Sequence, residues 1–233
     1  MIQFYSLYFI LFFLLFLLLI KSSPINEDDW EIEYTGYGSI TFDQGKVTLI
    51  PQASISSGET HAGLVLSKQT WAEFKVTVIA KTNSQLRTPT PNSWEVFWLF
   101  FNYKRIGNEK ETNYFILKTN GIELGTASET VAQNFLETDS TPTINLGQNY
   151  QYTVEMKNGL LNIWIDSNLV IQDYDFIQSN PDKNLYTFKG MIGLYTEDAS
   201  VTISDFNIES YDTSSSFIFT FSFSFLFLLF LLF

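Results

Sequence analysis

Apolar and polar residues alternate one for one through most of the middle of this chain. In residues 149–157, Tyr150, Tyr152, Val154 and Met156 fall on one side and Gln151, Thr153 and Glu155 on the other. A period of two puts successive side chains on opposite faces of an extended strand, and no helix satisfies it. The run 160–166 repeats the pattern beyond Lys157-Asn158-Gly159, and Asn-Gly between two alternating runs marks a two-residue hairpin. Residues 71–80 alternate likewise, with Phe74, Val76, Val78 and Ala80 on the apolar side. In 201–209 the apolar positions run through Val201 and Ile203, then Phe206 and Ile208. That change of parity at Ser204-Asp205 predicts a bulge. Residues 94–101 (WEVFWLFF) are apolar on both faces, as a central strand covered on both sides should be. The best helical candidate, 127–137, is short and expected as a loop decoration. Many short antiparallel strands separated by turn signals predict an all-β sandwich or jelly roll.

The two ends are of another kind. Residues 4–20 and 214–233 hold no charge and are dominated by Leu, Phe and Ile. The first run, followed by Lys21, Ser22, Ser23 and Pro24, reads as a signal peptide over residues 1–22 with cleavage after Ser22. Its apolar core is at the long limit of the usual ~7–15 residues, so an uncleaved signal anchor is the competing reading. The last run follows the small residues Asp212–Ser216 and carries no cytoplasmic Lys or Arg. It reads as a glycolipid-anchor signal over 213–233, with a plain transmembrane tail as the alternative. The β-sandwich is then expected over residues 23–212, at the outer surface of a cell and held to its membrane.

More than half of the 23 Phe lie in those ends, whereas all five Trp lie between them. The formal charge of −12 argues against nucleic acid as a partner. The chain has no cysteine, which excludes disulfides, thiolate metal sites and cysteine nucleophiles.

Four clusters in the middle segment carry candidate chemistry. The single histidine, His61, is a potential general base. The Pro-rich stretch 83–98 holds Gln85, Arg87 and Glu95, with Arg87 in the loop before the aromatic strand and Trp94 and Trp98 four residues apart on one predicted strand face. An indole plane stacks on the apolar face of a sugar ring, so Trp94, Trp98, Gln85 and Lys118 are the candidate glycan-binding residues. In the strand 113–118, Tyr114 and Lys118 share a face, placing a potential proton donor beside a cation. Near the end, Glu197, Asp198 and Asp205 offer oxygen ligands for Ca²⁺.

The ending GMIGLYTEDASVTISDFNIE, together with ETHAGLVLS, QLRTPTPNSWEVFW and NYFILKTNGIELG, resembles concanavalin A-like jelly rolls. That superfamily includes laminin-G domains, family-16 glycoside hydrolases and 3-keto-disaccharide hydrolase-like domains. The similarity spans roughly residues 30–210 and implies a β-sandwich of two antiparallel sheets. Family-16 hydrolases carry two acids as E-x-D-x-E or E-x-D-x-x-E on one central strand, held ~5 Å apart. The corresponding strand here has Glu95 alone. Jelly-roll alginate lyases use an Arg, a Gln, a His and a Tyr. Gln85, Arg87, His61 and Tyr114 supply those types, but in a different chain order and without the Q-x-H motif.

Two functions follow as expectations. One is a membrane-held, carbohydrate-binding or adhesion domain whose partner is a polysaccharide or surface glycan. The other is a polysaccharide-cleaving lyase or hydrolase using His61, Arg87, Glu95 and Tyr114. Convergence of those four side chains in one groove favours the enzyme, and dispersal favours the binding domain.

Overall fold

The computed structural model describes residues 24–129, 133–179 and 189–211. The signal-peptide and anchor expectations fall outside these residues. In chain order the strands are β1 (Trp30–Tyr34), β2 (Ser39–Asp43), β3 (Lys46–Ile50), β4 (Ala62–Ser67) and β5 (Phe74–Gln85). There follow β6 (Phe97–Ile106), β7 (Glu109–Lys118), β8 (Gly121–Ser128), β9 (Asn134–Asp139) and β10 (Asn149–Lys157). The last are β11 (Leu160–Ile165), β12 (Asn168–Asp175), β13 (Met191–Glu197) and β14 (Ala199–Ser210).

They form two seven-stranded antiparallel sheets. The front sheet has the order β1-β4-β13-β6-β7-β8-β9, and the back sheet β12-β11-β10-β5-β14-β3-β2. The expected all-β sandwich is the fold observed. Its core is the space between the sheets, filled from the back by Phe74, Val76, Val78, Tyr152 and Val154, and from the front by Phe97, Leu99, Phe101, Phe115 and Leu194. The edge-to-face contacts of Phe97 with Tyr152 at 5.1 Å and Phe74 with Phe101 at 6.4 Å join the two layers.

Several local expectations are met for the reasons given. Lys157 pairs with Leu160, and Asn158 and Gly159 take φ of 53° and 77°, the positive values a tight hairpin of this twist requires. The register of β14 on β5 shifts between Ile203 and Asp205, at the parity change. β6 is the middle strand of the front sheet, with Phe97 through Tyr103 all buried. The helical candidate 127–137 is corrected: Ala127 and Ser128 close β8, and Asn134 opens β9 against it. Pairing with an existing edge satisfies more backbone groups than a helix too short to hold itself together. Trp94 is corrected too, because β6 begins only at Phe97 and Trp94 sits in the turn before it.

Candidate functional site

The outer face of the front sheet, turned away from the core, is where the structure departs from an ordinary sandwich. Alternation along β6 sends Phe97, Leu99 and Phe101 inward, and therefore Trp98 and Phe100 outward. The neighbouring strands match them in register. Tyr195 of β13 lies opposite Trp98, and Tyr114 of β7 lies opposite Phe100. The rings touch: Trp98 is 5.1 Å from Tyr114 and 5.4 Å from Tyr195, and Phe100 stacks on Tyr195 at 4.4 Å. A groove of about 630 Å³ opens over this floor, within the usual range for ligand sites. Tyr34 and Tyr103 line its β1 side, Phe135 its β9 side, and Trp94 its end.

Each tyrosine beside Trp98 is tied to a carboxylate of the groove. Tyr195 donates to Glu197 at 2.6 Å, and Tyr114 donates to Glu123 at 3.0 Å. Burial, and then the neighbouring carboxylates, push both phenols up from their ordinary value, so both stay protonated donors at neutral pH. Lys118 closes the second pair from behind, its Nζ 2.6 Å from Glu123. Gly125 makes room for this arrangement: a Cβ there would lie 2.3 Å from the Tyr114 hydroxyl. The Glu197 carboxyl is raised chiefly by desolvation, against the hydrogen bond from Tyr195, which lowers it.

Behind the Trp94 end of the groove lies a buried ionic hub. Arg87 is 6% exposed, and Glu95 and Asp198 not at all. The Arg87 guanidinium binds Glu95 through Nε, reaches Asp198 Oδ2 at 2.7 Å and donates to the Ser56 carbonyl at 2.5 Å. Asp198 also accepts from Ser54 at 2.5 Å. Its backbone is fixed as well, its amide donating to the His61 carbonyl at 2.8 Å and its carbonyl accepting from Leu86 at 2.7 Å. This residue is the single link between β13 of the front sheet and β14 of the back sheet, at φ +42°, a backbone region that Asp tolerates better than most residues. The turn sends Glu197 into the groove and Asp198 into the hub.

The sequence candidates thus separate. Tyr114, Trp94 and Trp98 line the groove, as does Glu197. Trp98 is floor, 3% exposed, with its Nε1 donating to the Trp94 carbonyl at 2.8 Å; Trp94 is rim, 43% exposed. Lys118 acts on the groove only through Glu123. Gln85 donates to the Asn92 carbonyl at 2.6 Å and holds the β5–β6 loop. Arg87 and Glu95 are in contact, but with each other and not with the groove. The His61 ring is spent on its own loop, Nδ1 3.0 Å from the Gln52 carbonyl and Nε2 3.3 Å from Glu59. His61, Arg87, Glu95 and Tyr114 therefore do not converge in one groove. Nor do Glu197, Asp198 and Asp205 come together: Asp205 pairs opposite Ile79 within the back sheet. Among the described residues, no three His, Cys, Asp or Glu side chains are grouped to hold a metal.

Sequence reasoning missed Phe100, Glu123 and Tyr195. The alternation of β6 carried a signal for Phe100. For Glu123 and Tyr195 the signal was weaker, since each belongs to the groove only through the register of β8 or β13 on its neighbours.

No protein-family model matches the chain, and no curated protein matches it. Solved structures do. A carbohydrate-binding module, CBM66, from Bacillus subtilis superposes with a TM-score of 0.55 at 14% identity, over 78% of this chain and 96% of that one. A β-glucanase from Bacillus licheniformis gives 0.53 at 11% identity, over 81% and 96%. A Bacillus subtilis protein of unknown function with a galectin-like fold gives 0.53 at 14%, over 81% and 94%. At such identities the likeness is one of fold.

Proposed function

We propose that this chain, which has the concanavalin A-like jelly-roll fold, is a carbohydrate-binding domain working at the outer surface of a cell. The observation that carries the reading is the groove floor, where Trp98 sits between Tyr114 and Tyr195 and each phenol is tied to a carboxylate. A sugar ring has an apolar face and a rim of hydroxyls. The aromatic floor suits the first, and Glu123 and Glu197 accept from the second. Trp94, exposed at the end of the groove, extends the stacking surface.

Cleavage of the glycan is the second reading, and one observation favours it. Glu197, raised by desolvation, is the kind of carboxylic acid that can donate a proton. Its partner in a two-carboxylate mechanism would come from Glu111, Glu123 or Glu129, which also line the groove. Of these, Glu123 is already engaged by Tyr114 and Lys118. His61, Arg87 and Glu95 are not among the residues that line the groove, which weighs against the lyase set. Binding is therefore the better supported function.

The test uses the protein displayed on cells and offered fluorescent polysaccharides, with the medium assayed for new reducing ends. Saturable binding without new ends is the expected result. Release of ends that stops in Glu197→Gln would transfer the reading to an enzyme, and absence of binding to any polysaccharide would reject both.

The address of the domain is part of this proposal. Residues 24 and 211 emerge at the same end of the sandwich: Ile25 bonds Gly45, Tyr211 bonds Glu73, and Trp30 packs on Phe206 at 4.9 Å. The Asp198 turn and Trp94 lie at the other end. A tail held in the membrane through 213–233 would present the Trp94 end of the groove outward. Release of the protein by phosphatidylinositol-specific phospholipase C is expected for a glycolipid anchor, whereas retention with an intact tail indicates a spanning helix.

A further inference from the structure

The charges around the groove narrow the class of glycan. Four carboxylates line it, Glu111, Glu123, Glu129 and Glu197, against one cation, Lys110. That lysine is already engaged, its Nζ 2.9 Å from Glu33 and 5.9 Å from the centre of the Tyr34 ring. Lys118 is held by Glu123. Arg87, the residue type that would neutralise a uronate, is buried behind the groove and clasped by Glu95 and Asp198. Among the described residues, each cation in or beside the groove is thus matched by an acid of the protein itself.

An anionic sugar entering here would bring its charge among carboxylates, with no cation left to receive it. Like charges a few ångströms apart repel more strongly in a partly desolvated groove than in water. A neutral sugar meets the opposite situation, since its hydroxyls donate to carboxylates and its ring faces stack on the exposed Trp94 indole at the groove end. An amine-bearing sugar would be attracted by the charge alone. Yet Glu123 already holds Lys118, and the floor between Glu123 and Glu197 is aromatic surface fitted to uncharged ring faces.

Resting on the glycan-binding reading, we infer that the groove takes an uncharged polysaccharide or oligosaccharide and excludes uronate-rich and sulfated glycans. The experiment compares one glucan backbone in three forms: native, carboxymethylated and amine-substituted. They are offered to the protein displayed on cells, beside a broad panel of neutral, acidic and amino glycans. The native glucan, or another neutral glycan of the panel, is expected to bind. Its carboxymethylated form should bind at least tenfold more weakly at low salt, with the gap narrowing as salt is added.

Equal or stronger binding of the acidic form overturns the inference and leaves glycan binding standing. Preference for the amine form does the same. Binding of nothing in the panel removes the underlying reading as well. A change in the neutral-to-acidic ratio tells groove charges from the overall charge of −12. The pair Glu123→Gln and Glu197→Gln should shrink that ratio several-fold. The rim pair Glu111→Gln and Glu129→Gln should shrink it less, and serves if the first pair does not fold. A ratio unmoved by either pair would mean that the groove is not what excludes anions.

Discussion

The two sheets bury matching inner faces but turn different outer faces to solvent. On the back sheet the outward positions are mostly polar, and its large apolar side chains there, such as Ile79 and Trp164, stand apart rather than as a layer. Thr48 and Thr202 are linked at 3.1 Å, Thr77 and Thr153 at 3.2 Å, and Lys75 lies over the Trp164 ring at 5.2 Å. On the front sheet the outward positions of the middle strands are Trp98, Phe100, Tyr114 and Tyr195, all buried against one another. A sandwich needs only one apolar face per sheet. The back sheet shows what suffices for folding, and the front sheet carries a second aromatic layer that the core does not require. That surplus is the surface we propose for binding.

The largest effect is expected at the hub that joins the two sheets. Arg87→Ala leaves Glu95 and Asp198 buried without their cation, and one broken buried pair typically costs about 3–5 kcal/mol. With two carboxylates orphaned, a loss near the top of that range is expected in denaturant unfolding. A loss below ~1 kcal/mol would show that the hub is hydrated and that the sheets are joined by packing alone.

Next comes the direct comparison of the two outer faces. Trp98→Ala removes a fully packed indole and should cost about 3–4 kcal/mol. Thr77→Ala on the back sheet removes one partly buried hydroxyl contact and should cost about 1 kcal/mol or less. Equal costs, read by thermal unfolding, would erase the distinction between the faces.

A smaller effect concerns pH. Glu197 is raised above the ordinary carboxylate value of 4.5, so between the unfolded and folded values the native state holds more protons than the unfolded chain. Stability then falls as pH rises through that window. The contribution of protonated Glu197 is complete below the unfolded value and gone above the raised one. Glu197→Gln keeps an acceptor for Tyr195 and should flatten this slope in melting curves taken from about pH 4 to 8. An identical slope in both proteins would show Glu197 to be as well solvated as a surface carboxylate.

Trp94 sharpens the comparison from the other side. At 43% exposure its replacement by Ala should change stability by no more than about 0.5 kcal/mol. Glycan binding should nevertheless weaken by about 0.5–1.5 kcal/mol, up to roughly tenfold in Kd. Trp98 and Trp94 are thus expected to separate, the first as floor and the second as rim. A stability loss at Trp94 as large as that at Trp98 would merge them into one core.

Much of the fold was legible before any coordinates. Alternation in 71–80 and 149–157, Asn158-Gly159 and the parity change at Ser204-Asp205 each state a local rule. A strand has a period of two, a tight hairpin needs positive φ, and a bulge absorbs one residue. Those rules act between residues close in sequence, so the sequence by itself determined the strands, the all-β class and the aromatic character of β6.

What it left open was which strands become neighbours. Tyr195 reaches Trp98 and Asp198 reaches Arg87 only after the sheet order is set, because both contacts join segments some hundred residues apart. The same limit explains why Arg87 and Glu95 looked like chemistry in the sequence and prove, with Asp198, to be a buried hub in the fold. A charged side chain reads alike whether it faces a ligand or a buried counter-ion. Only the tertiary structure, through the cost of leaving a buried charge unpaired, decided that Arg87 belongs to the frame and that the groove is left to its aromatics and acids.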